Sequence, residues 1–381
     1  MLYIYGIIYC VKIEGDYMIL NWIKNNVITT IIIILAAITC FFVPIDKQYL
    51  SYFDYKTLIC LACILVSVQC LKNSGFFQRV SKKMVYIFKD TKSVVLALIL
   101  LTFIIDLVLA NDMSLITLLP LTYIVLSSTN NMKYFAFTLI LQNIAANMSG
   151  MITPHGNPQN IYLFSFYDIP TLDFIKILLP HFFIVLLLLI VLPLIFVKKE
   201  PLTLYLDDNQ KSDSKIIIYF GMFLISLLVI FKVIPYIVGL FIVFGFAMIF
   251  NRKALREMDW DLLFTFAAFF IFSGNISRIP AISEFLIDSL NKSVVLTGML
   301  SCQFISNVPS AILLSKFTLD YESLIVAVNI GSLGTLISSL ASLITLKHYL
   351  KAEKNILKYI LLYTAINVLF LSVLLIYIFL F

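Results

Sequence analysis

The chain reads as an all-α polytopic membrane protein built from two inverted repeats, each with a re-entrant helical hairpin and a broken transmembrane helix. Three observations predict this. Apolar residues make up 61% of the chain and charged residues 13%, against about 25% charged in soluble domains, and mean hydropathy is +1.02. Lys and Arg gather in a few loops. Four short polar stretches interrupt apolar runs in two matched pairs. Ala110-Asn111-Asp112-Met113-Ser114 matches Ser306-Asn307-Val308-Pro309-Ser310. The run from Asn147 to Pro154 matches the run from Asn329 to Thr335.

The elements follow in order. Residues 1–26 form an N-terminal segment. Its apolar start, Met1 to Val11, has no basic lead and no clear cleavage site and is too short to span; Met18 reads as a candidate start of translation. The first repeat is expected over 27–197, with full spans at 27–43, 57–71 and 175–197, a hairpin at 94–128 and a broken helix at 133–167. A basic loop and a linking helix, 198–232, supply the inversion. The second repeat covers 233–381, with spans at 233–250, 260–275 and 356–379, a hairpin at 294–318 and a broken helix at 323–346. Crossing a bilayer core takes about 20 apolar residues. Val294 to Ile305 gives a helix of roughly 18 Å, too short to cross, so it must dip in and return. The first hairpin is assigned by analogy, since its arms are long enough to span. Asp54-Tyr55-Lys56 and Asp259-Trp260-Asp261 open the spans that precede the two hairpins.

Loop charge sets the orientation. The stretches 72–92, 198–215, 251–256 and 347–358 are basic and are expected in the cytoplasm by the positive-inside rule. The stretches 44–56, 168–173 and 320–322 are poorer in Lys and Arg and are expected outside, as is the loop 278–292. This puts the N-terminus inside and predicts a multi-pass protein of the plasma membrane. The net charge of +6 follows from these loops and is no signal for nucleic acid. Cys60 and Cys63 form a C-x-x-C on a predicted membrane helix. No further thiol pair or His completes a ligand set, so they read as small packing residues rather than a metal or redox site.

The breaks carry the chemistry. Backbone at bilayer depth leaves helical geometry only where it is buried in protein or lines a cavity. Paired interruptions in two halves of a hydrophobic chain are the sequence pointer to a transporter's binding site. Helix N-termini attract anions, and unwound carbonyls suit a hard cation such as sodium. Asn111 and Asn307 offer both acceptor and donors. Ser114, Ser306, Ser310, Thr153 and Thr335 add hydroxyls. Gly150, Gly156, Gly331 and Gly334 permit close approach or positive φ, and Pro154, Pro158 and Pro309 stop a helix running through. The alternative is a set of structural kinks satisfied by neighbouring helices. Asp112 is the acid expected at these breaks, either exchanging a proton or holding a coupling cation, or capping the hairpin tip. Asp106 reads as a tolerated or locally paired acid with nothing to mirror it in the second repeat. His155, inside the first break, has a proton or substrate role or is packed in the loop.

The run Asn147-Met-Ser-Gly-Met-Ile-Thr-Pro-His-Gly-Asn-Pro-Gln-Asn160 resembles the broken-helix motif of the ion-transporter superfamily. That group includes citrate-transporter-like permeases, divalent-anion/sodium symporters and arsenite/antimonite permeases. Ala110-Asn111-Asp112 and Ser306-Asn307-Val308 resemble its hairpin tips. The likeness runs from about Asn26 to the end and implies an elevator-type carrier, usually a homodimer, with a scaffold and a moving part that holds both hairpins. The sodium-coupled dicarboxylate branch has Ser-Asn-Thr at both tips. Here both threonines are missing, and an Asn-Asp tip resembles the arsenite-permease branch more.

The expectation is therefore a secondary active transporter, not an enzyme, moving a small anionic solute with sodium or protons in the lipid bilayer. Asn111, Asp112, Asn307, Thr153, Pro154, Asn157 and Thr335 are the candidate solute-binding residues. Asp112, Asn111, Asn147, Gly150, Ser306, Asn307, Asn329 and Gly331 are the candidates for the coupling ion. No cofactor is expected beyond a sodium ion. A sodium/proton antiporter without an organic substrate is the rival reading. There is no H-E-x-x-H and no G-x-x-x-x-G-K-[ST], so neither zinc hydrolysis nor direct ATP drive is encoded.

Overall fold

The computed structural model describes residues 27–76, 87–107, 111–201 and 215–380. The readings of residues 1–26, of Lys82 and Lys83, and of the side chains of Asn111 and Asp112 lie outside the described residues. The protein is all-α and polytopic, and no strand occurs among the described residues. Its helices are α1 (Val27–Phe42), α2 (Tyr55–Asn73), α3 (Thr91–Asp106), α4 (Asn111–Ser128), α5 (Phe135–Ser149), α6 (Pro158–Phe166), α7 (Thr171–Phe196), α8 (Ile216–Ile230), α9 (Tyr236–Phe250), α10 (Arg252–Glu257), α11 (Trp260–Ile276), α12 (Pro280–Lys292), α13 (Val294–Ile305), α14 (Asn307–Leu314), α15 (Tyr321–Ile330), α16 (Leu340–Ala352) and α17 (Ile356–Leu380). A short 3-10 helix, Lys47–Tyr52, precedes α2.

Side-chain caps fix where several helices begin. Asp90 accepts from the Ser93 N–H at 3.0 Å before α3, and Asp259 from Leu262 N–H at 2.9 Å before α11. Ser293 accepts from Leu296 N–H at 3.2 Å before α13, and Asp320 from Ser323 N–H at 3.0 Å before α15. Each supplies an acceptor to a backbone donor that has no partner inside its helix. The segment 278–292, expected as a loop, holds α12. Its apolar and charged residues alternate at helical spacing, as they do in a helix lying along a boundary between water and lipid.

Two compact units emerge. One contains the described residues up to Asp54 together with Asp259–Ser283; the other contains Tyr55–Met258 and Glu284–Phe381. In the first, α1 packs along α11. Arg278 grips Asp46 with two N–H donors, at 2.7 and 3.2 Å, and reaches the Tyr52 hydroxyl at 3.0 Å. The Arg278 guanidinium holds the Asp46 carboxyl below its usual pKa.

The second unit holds the four polar breaks. Helices α3 and α4 pack together and both lie on α5; α13 and α14 pack together and both lie on α15. The distal half of each broken helix then crosses over: α16 packs on α4 and α5, and α6 packs on α14 and α15. At the loops, Lys232 and Asp168 form an ion pair that lowers the Asp168 pKa. Lys133 pairs with Glu200 at 2.8 Å, and Asn73 donates to Glu257 at 3.1 Å.

Candidate functional site

The two broken helices exchange their polar contacts. Asn147, near the end of α5, accepts through Oδ1 from the Ser339 hydroxyl at 2.8 Å, and Ser339 caps α16 of the other broken helix. Asn329, near the end of α15, receives the Gln159 amide on Oδ1 at 3.1 Å and donates to Asn160 Oδ1 at 2.8 Å. Gln159 and Asn160 lie in the first turns of α6. Asn147, Asn157, Gln159, Asn160, Asn329 and Ser339 are all buried. Each interrupted helix thus ends on an asparagine held by the far side of the other interruption.

The breaks are held open by local chemistry. In the first, Asn160 Nδ2 donates to the carbonyls of Gly150, Met151 and Thr153 at 3.2, 3.1 and 3.3 Å, and Asn157 Nδ2 to the Asn147 carbonyl at 3.0 Å. Gly156 is pressed against Gly150, where a Cβ would sit 2.2 Å from the Gly150 carbonyl oxygen. In the second, Gln303 Nε2 donates to the carbonyls of Gly331 and Leu333 at 2.9 and 3.0 Å, and Gln303 Oε1 accepts from Thr335 N–H at 2.8 Å. Gly334 sits there at φ +119°, a conformation side chains disfavour. Gln303 belongs to the hairpin arm α13, so the second hairpin and the second break are joined directly.

Ser306 turns the second hairpin with φ +73°. Pro309 falls in the first turn of α14, where a missing N–H costs nothing; the turn itself is made at Ser306. Asn307 N–H donates to the Ser338 carbonyl at 3.0 Å, Val308 N–H to the Asn307 side-chain oxygen at 2.9 Å, and Ser310 N–H to the Ser306 carbonyl at 3.2 Å. The backbone donors expected to face an anion at this tip are therefore already engaged. What remains is the Asn307 side-chain N–H2, which has no protein partner among the described residues although Asn307 is only 4% exposed.

The acid seen at the first break is Asp106, which had no place among the expected binding residues. It is fully buried and accepts from Ser114 at 2.8 Å and from Ser149 at 2.9 Å, tying both arms of the first hairpin to the end of α5. Cys302 stands at the matching distance before the second tip, also fully buried. An ionisable residue in an apolar run is itself a functional signal, and it could have flagged Asp106. Gln159, Asn160 and Gln303 carry no comparable mark in the sequence.

Other candidates sort as follows. A Cβ at Gly150 would meet Asn157 Oδ1 at 2.8 Å and Asp106 Oδ2 at 3.0 Å, so these two oxygens flank one point. Asn157 Oδ1, Gln159 Oε1 and the Thr153 hydroxyl are buried without a hydrogen-bond partner among the described residues. Pro154 is buried in the turn beside Thr153. Gly331 packs its backbone on Cys302. Thr335 is exposed and gives its hydroxyl to the Gln303 carbonyl at 3.1 Å. His155 packs edge-on to Phe231, with ring centroids 6.1 Å apart.

Comparison with known proteins shows which transporters the chain is similar to. Residues 17–323 match the family described as citrate transporter. An uncharacterised transporter of Methanocaldococcus jannaschii is 34% identical over 295 residues, covering 77% of this chain and 81% of that protein. The inner membrane protein YbiR of Escherichia coli is 29% identical over 315 residues, 81% of this chain and 83% of its own length. The putative transporter arsB of Dictyostelium discoideum is 25% identical over 164 residues, 43% of this chain and 29% of its own.

Proposed function

We propose a mechanism from one premise: the chain belongs to the citrate transporter family and is a membrane transporter. It acts as a secondary active carrier of elevator type, moving a small anionic solute coupled to sodium or protons. The observation that carries this reading is the buried exchange between the two breaks, Asn147 with Ser339 and Asn329 with Gln159 and Asn160, joined to the second tip through Asn307 and Ser338. A solute bound there touches both halves of the chain at once, which is what an inverted repeat working by alternating access requires.

The unengaged groups suit opposite charges. The Asn307 amide N–H2 and the Thr153 hydroxyl can donate to an anion. The side-chain oxygens of Asn157 and Gln159 can accept from a cation or a proton donor. Asn111 and Asp112 are the first tip's candidates for the same solute and ion. The crossed packing of α16 on α4 and α6 on α14 supports the two-repeat reading. The order of spans puts Lys232 on the same face as the 168–173 loop and Lys133 on the same face as the 198–215 loop, and the ion pairs Asp168–Lys232 and Lys133–Glu200 support that order. The family name points to citrate and the Asn-Asp tip resembles that of arsenite permeases, so both belong in the assay.

Purified protein in liposomes provides the test. Uptake of labelled citrate, succinate, sulfate, phosphate and arsenite is followed under sodium or proton gradients, alongside a pH-sensitive dye. Gradient-dependent uptake of one anion is the expected result. Proton flux driven by sodium with no solute taken up would replace this reading with a sodium/proton antiporter.

A further inference from the structure

A groove of about 330 Å³ opens where the C-terminal part of α4, the start of α5 and the end of α16 meet. Pro120, Tyr123, Ile124 and Phe135 line it together with His348 and Lys351. Tyr123 and Ile124 are 44% and 49% exposed, so the walls continue onto the outer face of the helices. Lys351 is exposed and forms no ion pair among the described residues. The same end of the bundle carries Lys347, Lys354 and Lys358. It also carries an aromatic cluster in which Tyr123 meets Phe135 at 5.8 Å, Phe135 meets Tyr349 at 6.2 Å and Tyr349 meets Tyr359 at 4.6 Å between centroids. Tyrosines beside lysines at the ends of apolar helices mark the level of the lipid headgroups.

We propose that this groove binds one anionic phospholipid, its phosphate on Lys351 and His348 and the start of an acyl chain along Tyr123, Ile124 and Pro120. A free anion fits poorly, because the walls are apolar and few donors converge. A zwitterionic lipid offers the same phosphate but sets its own cationic group beside Lys351 and the neighbouring lysines. Basic pockets between membrane helices hold acidic headgroups by this division of labour. The lipid bridges α4, an arm of the first hairpin, and α16, the distal half of the second broken helix. It would therefore fasten two elements far apart in sequence.

Purified protein in phosphatidylcholine nanodiscs is titrated with phosphatidylglycerol, reading the thermal midpoint and lipid adducts by native mass spectrometry. Saturable binding of phosphatidylglycerol is expected, with added phosphatidylcholine giving no comparable adduct. Lys351→Gln should weaken it about fivefold, the effect of one lysine near an acidic surface, while Lys354→Gln changes little. Ile124→Trp fills the groove without altering charge and should weaken binding as well, which keeps the test open if Lys351→Gln does not assemble. Equal binding of the two lipids, indifference to both groove substitutions, or equal stabilisation by glycerol 3-phosphate would each overturn the proposal.

Discussion

Replacing Asn329 by Ala removes the group on which the two broken helices meet. Two buried partners are stranded: the Gln159 amide, which donates at 3.1 Å, and Asn160 Oδ1, which accepts at 2.8 Å. A buried polar group left unmatched costs about 1–3 kcal/mol. Measured contacts between membrane helices average nearer ~0.6 and reach ~1.7 kcal/mol, because chains unfolded in lipid find other partners. Two such losses give about 1–3 kcal/mol, or about 5- to 150-fold in the folded-to-unfolded ratio. Asn329→Asp keeps the shape but sets an oxygen against Asn160 Oδ1, so it should cost at least as much as Ala. Reversible unfolding in bicelles measures both variants, with Gln159→Ala and the double variant completing a cycle. The singles should be non-additive. A loss below about 0.3 kcal/mol for Asn329→Ala, or strict additivity with Gln159→Ala to within about 0.3 kcal/mol, would refute the reasoning.

Asn307→Ala and Asn111→Ala should each abolish uptake while leaving membrane expression largely intact; normal uptake by both would move the binding site elsewhere. Asp112→Asn should lose concentrative uptake if the carboxylate carries the coupling ion, and wild-type accumulation with unchanged ion dependence would reduce Asp112 to a cap. Asp46, whose carboxyl Arg278 holds below the ordinary aspartate range, takes up its proton more readily in the unfolded chain. Its stabilising effect is therefore complete above the unfolded aspartate pKa of about 3.9 and is lost as pH falls through the lower folded pKa. Thermal midpoints from pH 6 down to about pH 3 should fall less steeply in Asp46→Asn. An impermeant thiol reagent applied to intact cells should label a cysteine at Asp168 and spare one at Lys83, and the reverse pattern would invert the layout.

Much of this architecture is written in hydropathy and in Gly, Pro and Asn. Helices α2, α5, α7 and α17 stand within a few residues of their expected bounds, and both interruptions of the broken helices fall at their asparagines. Such features are legible because a break in a membrane helix needs particular residue types at the place where it occurs. Helix α12 was hidden because a surface helix of mixed polarity looks like a loop in a chain where apolarity is the main signal. The roles of Gln303 and Gln159 were hidden for another reason. Gln303 partners backbone groups 28 to 32 positions away and Gln159 an amide 170 positions away, and no local pattern announces a contact across the fold. The engaged N–H groups at the second tip belong to the same class, since Ser338 comes to Asn307 only through the tertiary structure.

The bond between Asn147 and Ser339 spans 192 positions, and this gives the protein a timetable. A ribosome adding about 5–20 residues per second needs about 10–40 s to travel from one to the other. Throughout that interval Asn147 has been made and its partner has not. Gln159 and Asn160 wait almost as long for Asn329. The early helices must spend this time in the keeping of the insertion machinery or of transient neighbours. A nascent chain stalled before Ser339 would present its amides to lipid and to the quality-control proteases that survey it.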